Sequence, residues 1–174
     1  MRYIAQILLV LPLVLGQQVG KAQTCIIDKV IPTTPDERFI DRGDGSVQDK
    51  HTGLIWMRCS LGQVWDGATC SGTAAVYTWQ QALQEAAGYT FAGSSTWRLP
   101  NVNELKSIVE KACYDPAINL TAFPATPSAP FWTASPLAPG YDYAWIVSFN
   151  YGNAYGGHKN SSSYFVRLVR PDSN

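Results

Sequence analysis

Two histidines are the side chains best suited to proton transfer near neutral pH, and neither has the neighbours that catalysis needs. His51 and His158 both fall in segments rich in turn-forming residues, and no serine or cysteine nucleophile motif accompanies them. They stand far apart in the sequence, and the chain has no Cys-x-x-Cys pair to complete a zinc site. We therefore expect surface roles for both histidines, with no catalytic residue, no bound metal and no cofactor.

Four cysteines could carry redox chemistry or covalent cross-links. Cys25, Cys59, Cys70 and Cys113 make an even count, which predicts two disulfides if the chain is exported. Three pairings are open. The short separation of Cys59 from Cys70, with glycines between them, favours a closed local loop. The remaining pair would then be Cys25–Cys113, which would tie an N-terminal arm to the end of a helix.

Three aspartates near the start of the chain could suggest a calcium loop. Asp41, Asp44 and Asp49 do not have the spacing of an EF-hand, because Gly43 and Gly45 stand where ligands should be. Aspartate side chains also accept hydrogen bonds from nearby backbone amides in turns. We expect that turn role for these carboxylates.

The first 22 residues are typical of a secretory signal peptide. Arg2 provides the positive start, residues 4–15 are apolar apart from one glutamine, and Gly20 and Ala22 are the small residues of a cleavage site. The apolar run is shorter than the roughly 20 residues that a membrane span needs. We expect an exported protein, periplasmic, secreted or on the cell surface, without stable membrane insertion.

The charge balance argues against nucleic acid as a partner. The whole chain has 13 basic and 13 acidic residues, and loss of residues 1–22 would leave 11 basic against 13 acidic side chains. The remainder divides into an arm, residues 23–37, and one domain, residues 38–170. A length of this size suits a single domain.

Two helices are predicted by their capping residues. Thr78 with Gln81 and Asn101 with Glu104 each have the spacing of a capping box. The first helix should end at Gly88 and the second should run over residues 102–111. Turn residues separate the short strands that we predict at 38–41, 46–49, 54–57, 131–135, 145–149 and 164–170, the last two forming a terminal hairpin. The expected class is α+β.

Several of these segments together resemble the Lcl C-terminal domain family, typified by the C-terminal domain of a Legionella collagen-like adhesin. The resemblance covers roughly residues 38–170 and rests on Asp44-Gly45-Ser46-Val47, Thr52-Gly53-Leu54-Ile55-Trp56, Thr78-Trp79-Gln80-Gln81-Ala82-Leu83, Trp97-Arg98-Leu99-Pro100-Asn101, Phe131-Trp132-Thr133, Ala144-Trp145 and Val166-Arg167-Leu168-Val169-Arg170.

The resemblance implies a C-type-lectin-like fold with two helices, a small, mostly antiparallel sheet and long loops. It also implies an extracellular bacterial ligand-binding module and a homotrimer. The adhesin's own domain binds sulfated polysaccharides.

The segment 150–164 is the strongest candidate for ligand contact. It consists almost wholly of Asn, Tyr, Gly, Ser, Ala and His between two aliphatic strands. Tyrosine provides a large contact area at low entropic cost, and the small polar residues adapt their hydrogen bonds. A glycan or a protein is the expected ligand, and the candidate contact residues are Tyr151, Asn153, Tyr155, His158, Asn160, Ser162 and Tyr164.

The same composition is similar to that of variable proteins from diversity-generating retroelements. Adenine mutagenesis of asparagine codons would produce this set of residues. A template repeat and a neighbouring reverse transcriptase in the genome would test that hypothesis.

Three functional interpretations follow. The first is an adhesin-like ligand-binding module that is not an enzyme. The second is a structural module of an envelope assembly, in which the tyrosines pack against a sister chain. The third is an oxidase related to formylglycine-generating enzymes, which have a related fold and use paired cysteines. Export and the short loop between Cys59 and Cys70 favour a structural bridge over this third interpretation.

Overall fold

The computed structural model of the chain describes residues 22–172. The predicted signal peptide, residues 1–22, lies outside this part except for Ala22. Within residues 22–172 the chain forms two α-helices, a short 3₁₀ helix and 13 strands. The helices are α1 (Trp79–Ala87) and α2 (Val102–Ser107), the 3₁₀ helix is Asp36–Arg38, and the strands are β1 (Thr24–Cys25), β2 (Phe39–Asp41), β3 (Ser46–Asp49), β4 (Leu54–Met57), β5 (Val64–Trp65), β6 (Cys70–Ser71), β7 (Val76–Tyr77), β8 (Cys113–Tyr114), β9 (Pro130–Pro136), β10 (Tyr143–Ser148), β11 (Asn153–His158), β12 (Tyr164–Phe165) and β13 (Val169–Pro171).

The larger sheet has five strands in the order β11-β10-β9-β12-β7, antiparallel except for the β12–β9 pair. Successive side chains of a strand point to opposite faces. Ile146 of β10 belongs to a buried cluster with Ala82 and Ala86 of α1, whereas Val147 belongs to a second cluster with Leu105 of α2. Each helix therefore contributes to the apolar cluster on one face of the sheet. The expected α+β class is confirmed.

The smaller sheet has four antiparallel strands in the order β13-β4-β3-β2. Its strands β2, β3 and β4 confirm the three that the sequence predicts. The three aspartates make the turn contacts expected of them. Asp41 accepts from the Gly43 amide at 2.8 Å, Asp44 from the Ser46 amide at 2.9 Å, and Asp49 from the His51 amide at 3.0 Å.

Both capping boxes form as predicted. The Thr78 side chain accepts from the Gln81 amide and the Asn101 side chain from the Glu104 amide, and each reciprocal bond is present. Helix α2 nevertheless ends at Ser107, four residues before the predicted end at 111. Val109 leaves the helix to bridge Ile118, and the Glu110 amide donates to the Ala117 carbonyl. Contacts with a distant segment thus replace the last helical turn.

The predicted terminal hairpin is wrong. The segment 164–170 divides into β12, which lies in the larger sheet, and β13, which lies in the smaller one. The partner of β10 is instead β11, with Ser148 opposite Asn153 and Tyr143 opposite His158. The segment that we expected to be a polar loop therefore contains a six-residue strand.

Both favoured disulfides form. Cys59–Cys70 closes a local loop next to the β5–β6 hairpin, and Cys25–Cys113 joins β1 to β8, which are themselves paired. Cys59 and Cys70 are buried, whereas Cys25 is exposed. Disulfides persist in oxidising compartments, so both bridges agree with an exported chain.

Candidate functional site

Strand β11 is the outermost strand of the larger sheet and lies beside a row of exposed tyrosines. We call Tyr141, Tyr143, Tyr151 and Tyr155 the tyrosine rim; their exposed fractions are 96%, 42%, 65% and 45%. Tyr155 lies on β11, Tyr151 in the turn before it, and Tyr143 opposite its last residue. Because a six-residue strand is roughly 17–20 Å long, the rim extends along this edge. Side chains alternate between the two faces of a strand, so Tyr143 and Tyr155 project from opposite faces of the sheet.

Three of the predicted contact residues lie at the start and middle of this edge. Tyr151, Asn153 and Tyr155 are all exposed. The Tyr151 ring stacks against Tyr114, with 6.2 Å between ring centroids, so the turn is held near the Cys25–Cys113 bridge. These side chains are available to a ligand.

The next three predicted residues, His158, Asn160 and Ser162, lie at the end of β11 and in the turn that follows it. The His158 ring packs edge-on against Tyr143, with 5.2 Å between ring centroids. Its carbonyl accepts from the Ser162 amide at 3.1 Å, and its Nδ1 atom accepts from the Asn160 amide at 3.4 Å. His158 therefore organises the turn, and the only exposed side chain of the three is that of Asn160.

Tyr164 does not belong to the exposed surface. It lies on β12 and packs edge-on against the buried Trp132, with 4.8 Å between ring centroids. A Cβ atom added to Gly157 would lie 2.6 Å from its Cε2 atom. The seven predicted residues are thus divided among the strand edge, the following turn and the apolar core. If the segment 150–164 were diversified by a retroelement, its exposed positions could vary freely, whereas Gly157 could not, because a side chain there would meet the Tyr164 and Trp132 rings.

A cleft of about 400 Å³ lies at the Lys159 end of the rim. The Lys159 ammonium donates to the Tyr141 carbonyl at 2.7 Å and lies 4.4 Å from the centroid of the Trp79 ring. Within residues 22–172 this ammonium makes no ion pair. The cleft is lined by Pro136, Leu137, Ala138, Pro139, Gly140, Tyr141 and Lys159.

Sequence reasoning missed the part of the site that precedes β10. Tyr141 and Tyr143 join the rim only because β10 and β11 are paired, a pairing that we did not predict. The sequence does contain a signal for Tyr141, which lies between Gly140 and Asp142 in a proline-rich segment. Such segments usually form exposed loops, so an exposed tyrosine could have been predicted there.

A second hollow of about 420 Å³ lies beside the N-terminal arm, with Ile27, Pro32 and Leu120 among its lining residues. The Glu110 carboxylate in this hollow is already hydrogen-bonded within the chain. It accepts from the Thr34 amide at 2.7 Å and from the Ala112 amide at 2.8 Å. The hollow lies between the arm and the domain, and none of the predicted contact residues lines it.

In residues 22–172 no group of three or more His, Cys, Asp or Glu side chains is arranged to hold a metal ion. Across that part of the chain, no helix has the length and apolar character that crossing a bilayer requires.

Adjacent glycines of β11 should respond differently to alanine. At Gly157 a new Cβ would meet Tyr164 at 2.6 Å and Trp132 at 2.9 Å, whereas at Gly156 its nearest contact is the flexible end of Leu137 at 2.7 Å. We expect Gly157→Ala to lower the free energy of unfolding by about 1–3 kcal/mol and Gly156→Ala by less than about 1 kcal/mol. Urea denaturation followed by tryptophan fluorescence measures both. Equal losses would contradict the packing described for Gly157.

Comparison with known proteins identifies the domain. No curated protein matches the sequence closely enough to count as a relative. The model of the Lcl C-terminal domain family matches residues 45–170, which include both helices and all of strands β3 to β12. This match covers most of the chain and includes the tyrosine rim and the cleft. The chain therefore belongs to the Lcl C-terminal domain family.

Proposed function

We propose that this protein is an exported, C-type-lectin-like module that binds a glycan or a protein outside the cell, with the tyrosine rim and the adjoining cleft as its binding surface. The observation that carries the proposal is the group of four exposed tyrosines along one sheet edge, with Tyr143 and Tyr155 on its opposite faces, beside a 400 Å³ cleft. Family membership supports a ligand-binding role. The two helices, the mostly antiparallel sheets and the disulfides support the proposed fold type.

The chemistry of the surface suits adhesion. Tyrosine rings present a flat apolar face to a sugar ring or a protein side chain, and their hydroxyl groups can donate or accept a hydrogen bond. Lys159 adds an ammonium that has donors beyond the one used by the Tyr141 carbonyl. Asn153 and Asn160 supply amide groups at the two ends of β11. Such a surface binds polar ligands without a metal or cofactor.

In this proposal the chain is a binding protein and not an enzyme. The buried Cys59–Cys70 disulfide supports a structural bridge over an oxidase pair, since a bonded and buried pair presents no thiol to a substrate. Neither His51 nor His158 has a nucleophilic partner in the described hydrogen bonds. The charge balance supports ligands other than nucleic acid.

An array of glycans and proteins probed with the mature chain, residues 23–174, tests the proposal. For a captured ligand, we expect Tyr141→Ser and Tyr155→Ser each to raise the Kd by about tenfold or more, because central aromatic side chains dominate many interfaces. Isothermal titration calorimetry measures the change. Ile27→Ser is the matched control, because Ile27 is also a large exposed residue, with an exposed fraction between those of Tyr155 and Tyr141, but lines the second hollow. Unchanged binding by both tyrosine variants would refute the proposed site.

A further inference from the structure

The N-terminal arm, residues 23–37, presents three large aliphatic side chains to solvent. The exposed fractions of Ile26, Ile27 and Ile31 are 39%, 67% and 87%. Single exposed aliphatic residues are ordinary on a protein surface, but a cluster of them in one short segment marks an interaction site. The family match begins at residue 45, so family membership assigns no role to this arm.

The arm is attached to the domain on both sides of these isoleucines, so it holds them at the surface. On one side the Cys25–Cys113 disulfide joins it to β8, and the Ile26 amide donates to the Ala112 carbonyl at 2.8 Å. On the other side the Thr34 amide donates to the Glu110 carboxylate at 2.7 Å. A segment that is already ordered loses little conformational entropy when it binds a partner.

The hollow beside the arm has the size and the charge to accept such a segment. Its volume is about 420 Å³, and a cavity of about 150 Å³ already takes a benzene-sized group. Ile118 and Leu120 contribute apolar walls, and Asp36 and Glu37 bring exposed carboxylates. No lysine, arginine or histidine is among its described lining residues. The hollow therefore suits an aliphatic side chain with a cation beside it.

We propose that this hollow receives the arm of a neighbouring copy of the chain, with Ile31 against the apolar wall and the Lys29 ammonium beside the Glu37 carboxylate. Lys29 is exposed, and neither Lys29 nor Glu37 has an ion pair in the described part of the chain. Lys29 and Ile31 are close in sequence, so one short segment supplies both the apolar group and the cation that the hollow lacks. Opposite charges at the edge of an apolar contact fix its register.

This contact joins copies head to tail. Ile31 is followed directly by Pro32, which lines the hollow, so the inserting segment and the receiving hollow are neighbours on one surface. Each copy gives its arm to one neighbour and receives the arm of the other, and such contacts form a ring when the rotation closes. A ring of three agrees with the homotrimer that the family resemblance implies, whereas the resemblance does not say which surface forms it. None of these residues belongs to the tyrosine rim, so the inference does not rest on the proposed function.

Sedimentation velocity of the mature chain at rising concentration tests the contact. We expect a monomer–trimer equilibrium, and we expect Ile31→Ser to raise the concentration of half-assembly at least about tenfold, because it removes the inserted apolar side chain. Val76→Ser is the matched control, since Val76 is also an exposed aliphatic residue, at 52%, but lies on β7 and does not line the hollow. It should assemble like the wild type. A protein that stays monomeric, or that stops at a dimer, would overturn the inference.

Exchanging the two charges tests the register of the contact. Lys29→Glu and Glu37→Lys should each weaken assembly about tenfold or more, because each places like charges together, and the double variant should recover most of the loss. Both side chains are exposed, so the free energy of unfolding should stay close to that of the wild type. The inference fails if the double variant assembles no better than the single variants. It also fails if the protein forms a trimer that Ile31→Ser does not weaken.

Discussion

Replacing Arg167 with methionine is expected to lower the free energy of unfolding by about 3–5 kcal/mol, the largest effect of any single substitution considered for this chain. Arg167 is fully buried. Its guanidinium donates to the Met57 carbonyl at 2.8 Å and the Thr126 hydroxyl at 2.7 Å, and also to the Arg58 carbonyl. Methionine would fill most of the volume but leave these acceptors buried and unpaired, and each unpaired acceptor costs about 1–3 kcal/mol.

The charge of Arg167 is balanced without a carboxylate. Burial lowers the pKa of its guanidinium to about 9, which still leaves the group protonated at neutral pH. Besides its carbonyl and hydroxyl partners, the guanidinium carbon lies 4.9 Å from the Phe123 ring centroid and 5.9 Å from that of Phe131. Aromatic rings attract cations in this arrangement. Arg167 thus links β4 and the segment after it to the segment around residue 126.

Arg170 is the matched control, because it is also buried but makes few contacts that depend on its charge. Its described hydrogen bond goes to the carbonyl of its neighbour Pro171 at 3.1 Å, and it lies 5.4 Å from the Trp97 ring centroid. We expect Arg170→Met to cost about 1 kcal/mol. Guanidinium denaturation measures both variants, with the m-value as a test of unchanged compactness. If Arg167→Met were as stable as Arg170→Met, the role assigned to Arg167 would be wrong.

Substituting Glu110 with alanine is expected to cost about 2–4 kcal/mol and to remove part of the acid sensitivity of the fold. The carboxylate accepts from the amides of Thr33, Thr34 and Ala112 at 2.7–3.0 Å and from the Thr34 hydroxyl at 2.8 Å. Alanine would leave these donors without an acceptor. The Cys25–Cys113 disulfide would still join the arm to the domain. The substitution therefore lowers the free energy of unfolding without detaching the arm.

The sign of the pH dependence follows from the same contacts. Burial by itself raises the pKa of Glu110, but the amides of Ala112, Thr33 and Thr34 outweigh it and hold the pKa below the ordinary 4.5. A carboxyl whose pKa is lowered by folding contributes stability above its unfolded pKa, and that contribution is lost as the pH falls through the folded pKa. We therefore expect the stability of the wild type to fall below about pH 4.5.

The pH profile separates Glu110 from Asp49, which is also buried. Asp49, next to Arg38, also has a lowered pKa, because hydrogen bonds from Arg38, Thr52 and His51 outweigh the effect of burial. Urea denaturation between pH 3 and pH 7 should show a smaller slope for Glu110→Ala and Glu110→Gln than for the wild type. Asp49 and Glu104, whose pKa values are also lowered, contribute to the slope that remains. Parallel profiles for the wild type and Glu110→Gln would contradict this assignment.

The helix starts could be predicted from sequence because their signals are local. Thr78 with Gln81 and Asn101 with Glu104 satisfy each other within one turn, whatever surrounds them. The end of α2 has no such signal. The position of this end depends on the bridge from Val109 to Ile118 and on the hydrogen bonds from Thr33 and Thr34 to the Glu110 carboxylate. Both contacts join segments that are distant in sequence, so the residues next to the helix end do not predict them.

Strand β11 shows the opposite problem. Asn153 to His158 contains no β-branched residue and has adjacent glycines, so its composition indicates a loop. Gly157 is needed because the Trp132 and Tyr164 rings occupy the space beside it. The composition marks the region as a candidate surface. The pairing with β10 adds the exposed Tyr141 and Tyr143 to that candidate and places Tyr164 against the buried Trp132.

Mapping a bound ligand by NMR shows where on the domain the ligand lies. The amide signals of the mature chain would be followed while a ligand captured from the array is added. We expect the largest shifts at Tyr141, Tyr143, Tyr155 and Lys159, around the rim and its cleft. Shifts concentrated at Ile27 and Leu120, beside the N-terminal arm, would show that the tyrosine rim is not the binding surface.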